Sequence, residues 1–253
     1  MKLDKFSQDD FIKASNRLVR SLTRGKTTSS QPKAILLGGQ SGAGKTTIHR
    51  IKQREFQGNI IIIDGDSYRS FHPNYLALQE KYGKDSVDYT KVFAGQMVEY
   101  LVDELSKKGY HLLIEGTLRT TEVPRKTAQL LTTRGYQASL ALIATKPELS
   151  YLSTLIRYEE LYAIDPSQAR ATPKAHHDGL VEHLVAHLRE LEKDELFRQF
   201  QIYQRDQSCV YDSQVDETSV AEVLHECLFG KWNTVEEEML KIGQERLREL
   251  GDN

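Results

Sequence analysis

The feature that most constrains this chain is a glycine-rich stretch, "GGQSGAGKTT", at residues 38–47. The apolar run Ala34–Leu37 precedes it, and the segment 47–56 that follows can form a helix, with no glycine or proline before Gly58. Gly39 stands five positions before Gly44, as a phosphate-binding loop between a buried strand and a helix requires. The pattern therefore predicts a nucleotide-binding loop whose backbone N–H groups face the phosphates. We expect it to comprise Gly39, Gln40, Ser41, Gly42, Ala43, Gly44, Lys45, Thr46 and Thr47.

Two side chains of this loop have specific expected tasks. In proteins with such a loop, the lysine contacts the β- and γ-phosphates, and the hydroxyl that follows it binds Mg²⁺. These tasks fall to Lys45 and Thr46. The sequence thus predicts ATP or GTP, together with Mg²⁺, as ligands.

The chain contains a second "GKTT", at residues 25–28. The residue five positions before Gly25 is Arg20, not glycine, and the preceding residues 11–22 have the apolar spacing of a helix. Pro32 follows within a few residues. This copy is predicted to be a helix end and a polar linker rather than a nucleotide site.

Composition excludes several classes of protein. The net charge of the 253-residue chain is −2, whereas a general nucleic-acid binder usually needs a concentrated basic face. No apolar run approaches the roughly 20 residues of a membrane span, so no membrane association is expected. Cys209 and Cys227 lack the spacing of metal ligands and are interpreted as buried thiols in a reducing cytoplasm.

Apolar strand-like runs alternate with helical stretches along the chain. The runs are "AILL", "NIIIIDGD", "YHLLIEGT", "ASLALIAT" and "SCVYDS". This alternation predicts one α/β domain over residues 1–253, a parallel sheet of the phosphate-loop NTPase type with helices on both faces, resembling small-molecule kinases. Three segments are assigned around the sheet: an N-terminal helix and linker at 1–30, a helical lid at 147–200, and a C-terminal amphipathic helix at 231–253, expected to pack on the domain edge.

Two aspartates follow the second strand, in "IIIIDGDSYR". Ligands of parallel sheets bind at the carboxyl ends of the strands, so Asp64 and Asp66 are expected beside the phosphate loop. A carboxylate there can hold Mg²⁺ or accept the proton of an attacking hydroxyl. We assign Asp66 as the base. A turn or a helix cap is the alternative for either residue.

Further candidate site residues lie outside the phosphate loop and the two aspartates. Arg157 and Arg170 lie in the segment where small kinases carry arginines that stabilise the transferred phosphate, although single helical arginines are more often solvated. Glu99 lies opposite the apolar stripe of its helix, which leaves a solvated role and a substrate contact both open. Thr117 and Arg119 follow a strand end, where a cap is the alternative. The cluster His176, His177 and Asp178 is not expected to bind a metal, because adjacent histidines point in different directions.

Together, "GGQSGAGKTT", "DGDSYR", "LLIEGT" and the arginine segments "LIRYEE" and "ARATPKAHHD" resemble the zeta-toxin family over essentially the whole chain. The resemblance implies a toxin that phosphorylates the 3′-hydroxyl of the amino sugar in UDP-N-acetylglucosamine and so starves cell-wall synthesis. It implies that Asp66 activates the sugar hydroxyl, that Lys45, Arg157 and Arg170 hold the transferred phosphate, and that Thr46 holds magnesium. It also implies sugar-nucleotide contacts from Glu99, Thr117, Arg119 and Thr127. Whether Asp64 or Glu115 assists magnesium stays open.

The resemblance further implies a partner. This would be a small antitoxin whose N-terminal helical bundle blocks the nucleotide cleft, in a complex of two toxins and two antitoxins. Two other functions remain possible from the sequence. One is an antibiotic or nucleoside kinase that shares the base placement. The other is a nucleotide-gated switch or binding module, in which a water-positioning residue and flexible loops would replace the aspartate aimed at an acceptor.

Overall fold

A computed structural model of the chain describes residues 2–165, 169 and 171–251, with Lys84 described by its backbone alone. Within these residues, the chain forms one mixed sheet of six strands in the order β2-β3-β1-β4-β5-β6. The strands are β1 (Lys33–Gly38), β2 (Ile61–Ile63), β3 (Leu112–Glu115), β4 (Gln137–Ile143), β5 (Gln199–Tyr203) and β6 (Cys209–Asp212).

The first five strands run parallel, and only β6 pairs antiparallel to its neighbour within the described residues. The parallel sheet predicted from the sequence is therefore confirmed, with an antiparallel edge formed by "CVYD". β1 pairs with β3 so that Leu37 lies opposite Glu115. The phosphate loop and the end of β3 therefore leave the sheet side by side. The carboxyl ends of β1, β2 and β3 thus meet at one edge.

Ten α-helices of the described chain surround this sheet. They are α1 (Gln8–Thr23), α2 (Thr46–Glu55), α3 (Gly65–Tyr68), α4 (Tyr75–Tyr82), α5 (Ser86–Lys107), α6 (Glu122–Thr133), α7 (Pro147–Ile164), α8 (Lys174–Lys193), α9 (Val220–Phe229) and α10 (Thr234–Gly251). The segment 147–200 is not helical throughout: α7 and α8 occupy most of it, and its last two residues already belong to β5.

The sheet separates two apolar layers, and β1 contributes to both because its side chains alternate between faces. Ala34 and Leu36 join the larger core, which includes buried residues of α1, α5, α6, α8 and α9. Ile35 and Leu37 join a smaller core with Ile48 of α2. Helices therefore cover both faces, as predicted, and β1 and its loop are held from both sides.

The N-terminal segment contains α1 and a turn that follows it. Ser7 begins α1 with a capping box, in which it exchanges hydrogen bonds with Asp10. The "GKTT" after this helix forms a turn against the α2–β2 connection: Lys26 donates to the carbonyl oxygen of Gly58, and the Thr27 N–H donates to Asn59 Oδ1 at 2.8 Å. The lysine of this copy therefore binds a backbone carbonyl of the neighbouring connection.

The two cysteines differ in their exposure to solvent. Both cysteines are free, and Cys227 is partly buried. Cys209 is exposed, because it lies on the edge strand β6. The expectation of two buried thiols was therefore wrong for Cys209. In the described part of the chain, no helix is both long enough and apolar enough to cross a membrane.

Candidate active site

The phosphate loop connects β1 to α2 and is shaped by glycines. Gly39 and Gly42 have φ angles of +136° and +73°, which side-chain-bearing residues adopt at a cost. A Cβ atom at Gly42 would also collide with the carbonyl oxygen of Ser150 in α7. The loop is therefore packed directly against α7, and glycine is required there for both reasons.

Lys45 is the last loop residue before α2. Its ammonium group donates to the carbonyl oxygens of Gly39 and Gln40, at 3.2 and 3.4 Å, and lies 3.8 Å from Glu115 Oε1. Burial lowers the pKa of Lys45, while the negative charges of Glu115 and Asp66 oppose this shift. A cation in this position, surrounded by exchangeable carbonyl partners, is suited to bind phosphate oxygens.

Asp64 and Asp66 have different environments. Asp64 caps α3: its carboxylate accepts from the Asp66 N–H at 3.0 Å and from Ser67 Oγ at 2.6 Å. The Asp66 side chain is 72% exposed and accepts from Arg69 Nε at 2.8 Å. Arg69 in turn donates to the carbonyl oxygen of Val87, at the start of α5, which fixes its position. Asp64 therefore has the capping role that the sequence left open, and Asp66 is the carboxylate that is presented to solvent.

A cavity of about 350 Å³ lies between the phosphate loop and the ends of β2 and β3. Lys45, Asp66 and Arg157 all line it, and the charge of Arg157 acts on Lys45. Its other walls are the loop itself, the ends of β2 and β3, and one face of α5. They consist of Ser41, Gly42, Asp64, Gly65, Arg69, Lys91, Ala94, Gly95, Val98, Glu115, Gly116 and Thr117. One open space thus brings together the lysine of the loop, a carboxylate and an arginine.

Glu115 ends β3 and faces the first turn of α2. One carboxylate oxygen lies 3.8 Å from Lys45 Nζ, and the other lies 2.9 Å from His49 Nε2, although that approach is outside hydrogen-bond geometry. The negative charge of Glu115 therefore partly neutralises Lys45. The sequence signal for it was its position at a strand end, and the structure places it within the site.

The four residues expected to contact a sugar nucleotide are not all in the cavity wall. Thr117 lines the cavity. Glu99 is exposed on α5, near enough to Lys126 of α6 for the two charges to interact. Arg119 contacts His176 Nε2, and Thr127 donates to the carbonyl oxygen of Val123 in its own helix. The contacts of Glu99, Arg119 and Thr127 with substrate stay predictions, at positions outside the wall of this cavity.

Arg170 lies outside the described residues, so its expected role also stays a prediction. His177 is fully buried, and its Nε2 lies 2.8 Å from Ser150 Oγ. In the described part of the chain, no group of three or more histidine, cysteine, aspartate or glutamate residues is arranged to hold a metal ion. The cluster at 176–178 accordingly has structural partners.

The residues around the loop are nevertheless compatible with Mg²⁺ bound together with a nucleotide. Thr46 begins α2 with an exposed hydroxyl-bearing side chain, and the cavity is lined by the carboxylates of Asp64, Asp66 and Glu115. Mg²⁺ prefers oxygen ligands and usually takes only one or two protein groups plus substrate phosphates. Thr46 and one of these carboxylates would suffice to hold it.

Two arginines of this region were not identified from the sequence. Arg69 holds Asp66, and its signal was its spacing of three residues from Asp66 on a short helix. Arg205, beyond the carboxyl end of β5, donates to the carbonyl oxygens of Gly42 and Ala43. Arg205 belongs to no motif. Because β5 was not recognised, the position of Arg205 beyond a strand end was not recognised either.

The fold and the site define a phosphate-loop α/β protein with a kinase-like active-site cavity. A family model described as "Zeta toxin" matches residues 18–216. The chain is 67% identical over 250 residues to Toxin PezT of Streptococcus pneumoniae, covering 99% of each chain, and 41% identical over 208 residues to Toxin zeta of Streptococcus pyogenes, covering 82% of this chain and 72% of that one. The chain belongs to the zeta-toxin family.

A solved structure supports the same conclusion. It is from a study of the PezAT chromosomal toxin-antitoxin system of Streptococcus pneumoniae and matches with a TM-score of 0.92 and 63% identity, covering 100% of both chains. The resemblance inferred from the phosphate loop, the aspartates and the arginine segments is thereby confirmed.

Proposed function

We propose that this protein is the toxin of a toxin–antitoxin pair and acts as a UDP-N-acetylglucosamine kinase. It transfers the γ-phosphate of ATP or GTP to the 3′-hydroxyl of the amino sugar, which withdraws a precursor from peptidoglycan synthesis. The observation that carries the proposal is the cavity in which Lys45, Asp66 and Arg157 meet. Family membership and the names of the relatives support the toxin role.

The lysine and the arginines have charge-stabilising roles in this reaction. Phosphoryl transfer spreads negative charge over three equatorial oxygens, so positioning and electrostatic stabilisation supply most of the catalysis. Lys45 would exchange its carbonyl partners for the β- and γ-phosphates. Arg157, and Arg170 with it, would stabilise the transferred group. Mg²⁺, when bound, bridges phosphate oxygens and neutralises charge there.

Asp66 is the group placed to accept a proton. It lies beyond β2, on the side of the phosphate loop occupied by β2 and β3, while β4 and β5 lie on the other side. Arg69 Nε donates to Oδ1 of this carboxylate at 2.8 Å. In the proposed reaction, the Asp66 carboxylate accepts the proton of the sugar hydroxyl. A nucleotide-gated switch has no need for a fixed carboxylate at this position. The arrangement therefore favours an acceptor other than water.

The partner is proposed from the family in the same way. One solved relative comes from a toxin–antitoxin study, and we propose a cognate antitoxin for this chain, with a helical bundle that covers the nucleotide cleft in a 2:2 complex. A protein that occupies the cavity mouth would exclude ATP from Lys45. We propose a cytoplasmic location, where ATP and UDP-N-acetylglucosamine are available.

The direct test is incubation of the protein with ATP, Mg²⁺ and a panel of hydroxyl acceptors, with product masses as the readout. The panel should contain UDP-N-acetylglucosamine, free N-acetylglucosamine, nucleosides and an aminoglycoside. We expect one added phosphoryl group on UDP-N-acetylglucosamine alone. Transfer to a nucleoside or the aminoglycoside would replace the proposed substrate, and ATP hydrolysis without any acceptor product would indicate a switch.

A further inference from the structure

The Arg205 guanidinium connects the phosphate loop to the helix that carries Arg157. Its Nε donates to the carbonyl oxygen of Ala43 at 3.2 Å, and its Nη2 donates to the carbonyl oxygen of Gly42 and to Ser153 Oγ, the latter at 2.9 Å. The Ser153 hydroxyl donates its own proton to the carbonyl oxygen of Leu149 at 2.8 Å, so it accepts from Arg205. One side chain therefore holds two consecutive loop carbonyls and one turn of α7.

This guanidinium has an unusual environment for a positive charge. Arg205 is largely removed from solvent, and burial lowers its pKa. Among the described residues, no carboxylate lies within ion-pair distance of it. A partly buried cation that is satisfied by two backbone carbonyls and a hydroxyl forgoes the stabilisation that a carboxylate would give. These three contacts are the interactions through which Arg205 can act.

The loop and α7 also meet at two neighbouring points. The Gly42 backbone lies so close to the Ser150 carbonyl that no side chain fits. The Gln40 side-chain amide is buried and donates to the carbonyl oxygen of Thr145 at 2.7 Å and to Ser150 Oγ at 3.3 Å. The first two turns of α7 are thus fixed against the loop, and Arg157 follows one turn after Ser153.

We propose that Arg205 is a positioning residue for phosphoryl transfer: it fixes α7 on the phosphate loop, so that Arg157 is held at a set place relative to a bound nucleotide. This inference rests on the proposed kinase function. Arg205 itself contacts the outer side of the loop, through carbonyl oxygens. It also fixes the loop, because the C=O and N–H of one peptide point in opposite directions. Holding the Ala43 carbonyl toward Arg205 turns the Gly44 N–H the other way.

The consequence is kinetic rather than a matter of affinity. A group that is preset on the loop needs no reorganisation when charge develops on the transferred phosphate. A misplacement of about 1 Å in such a group can cost about 10²-fold in rate. Loss of Arg205 should therefore lower kcat and leave nucleotide binding largely unchanged.

The test is a double-mutant cycle between Arg205 and Arg157, with turnover of ATP and UDP-N-acetylglucosamine, KM for ATP and the thermal unfolding midpoint measured on each protein. We expect Arg205→Met to lower kcat by about 10²-fold with KM for ATP little changed. In the Arg157→Ala background the same change should cost less than about threefold, because its effect passes through Arg157. Arg205→Lys should recover part of the loss, and Ser153→Ala, which cuts only the α7 contact, should reproduce part of it.

Arg198→Met is the matched control, since Arg198 is exposed beside the start of the same strand and should keep wild-type kinetics. If the kcat losses of Arg205→Met and Arg157→Ala multiply fully in the double variant, the inference is overturned. The same holds if Arg205→Met raises KM for ATP with unchanged kcat, or lowers the unfolding midpoint with normal turnover of the folded protein. Should Arg205→Met not fold, Arg205→Lys and Ser153→Ala complete the cycle. An inactive wild type would overturn the proposed function and this inference with it, whereas an active wild type with independent effects would overturn this inference alone.

Discussion

The Lys45 ammonium group lies within its own phosphate loop. It donates to two loop carbonyls and lies 3.8 Å from Glu115 Oε1. Lys26, in the other "GKTT", instead binds the Gly58 carbonyl at the far end of α2. Identical tetrapeptides thus have different tasks, because only one is preceded by β1 and followed by a helix N-terminus.

We predict that Lys45→Ala abolishes phosphoryl transfer, because no other loop side chain can place a cation between the β- and γ-phosphates. Lys26→Ala should leave turnover within about twofold of wild type, as expected for a surface substitution away from the site. Steady-state turnover of both variants checks this. Inactivation by the Lys26 change, with an active Lys45 variant, would contradict the assignment of the loop.

Asp66→Thr tests the base. We expect turnover to fall by at least ~10²–10⁴-fold, since general-base catalysis typically contributes that much. ATP binding, measured by calorimetry in the presence of Mg²⁺, should stay close to wild type because the loop is unchanged. Asp64→Asn is the control at the neighbouring carboxylate: it retains an oxygen for the α3 cap and should weaken magnesium binding at most. Loss of ATP binding in Asp66→Thr would make Asp66 a magnesium ligand instead.

The sequence predicted Lys45 and Asp66 because a motif or a strand end fixes where each residue must lie. Their mutual arrangement was predictable because parallel strands deliver their carboxyl ends to one edge of the sheet. The expected adjacency of the two strands was wrong, since β3 lies between β1 and β2. Arg69 and Arg205 were not identified, because neither belongs to a motif and the three-residue spacing between Asp66 and Arg69 is a common one on helices. Their roles depend on three-dimensional contacts with Asp66 and with the loop carbonyls.

At the scale of elements, α7 is the piece that connects the site to the C-terminal segment. Its inner face touches the phosphate loop and its outer face packs against α10, which lies beyond the residues matched by the family model. A Cβ atom at Gly243 of α10 would lie 2.7 Å from Leu152 Cδ2. The ion pair between Arg246 and Glu160, at 3.2 Å, is half-exposed and should contribute little. Close apolar packing at Gly243 therefore sets the distance between the two helices.

We predict that Gly243→Leu forces α10 away from α7 and destabilises the protein by ~1–3 kcal/mol, the usual cost of overpacking a well-packed contact. Gly251→Leu, in the last turn of the same helix and facing open space, should leave the unfolding midpoint nearly unchanged. Thermal unfolding of both variants checks this. Equal midpoints for the two variants would show that the α7–α10 contact is not closely packed.

The elements themselves were predictable to different degrees. The strands β1 to β4 were recognised because each is a short apolar run, as expected for strands buried on both faces. β5, "QFQIY", was not recognised: its first two residues were assigned to the end of the helical segment 147–200, since its alternating glutamines lack such a run and α8 precedes it closely. A short connection joins β5 to β6, and strands joined in this way run antiparallel, because a parallel pair needs a long crossover. Without β5, the direction of β6 could not be predicted.

At the scale of the whole molecule, the sheet order separates two halves of the reaction. The phosphate loop lies at the centre, after β1, with the carboxylate-bearing ends of β2 and β3 on one side and the arginine-bearing connections after β4 and β5 on the other. In the proposed reaction, the acceptor would enter beside Asp66, while Arg157 and the loop would hold the phosphates. This division is the structural basis of the proposed kinase activity.

The most direct test of the account is the UDP-sugar pool of bacterial cells that express the chain without an antitoxin, measured by mass spectrometry as growth slows. We predict that a singly phosphorylated UDP-N-acetylglucosamine accumulates in cells with the wild-type protein, before growth stops. Cells that express the Asp66→Thr variant at the same level should grow and should lack this product. Growth arrest by the wild type with an unchanged UDP-N-acetylglucosamine pool and no phosphorylated product would contradict the account.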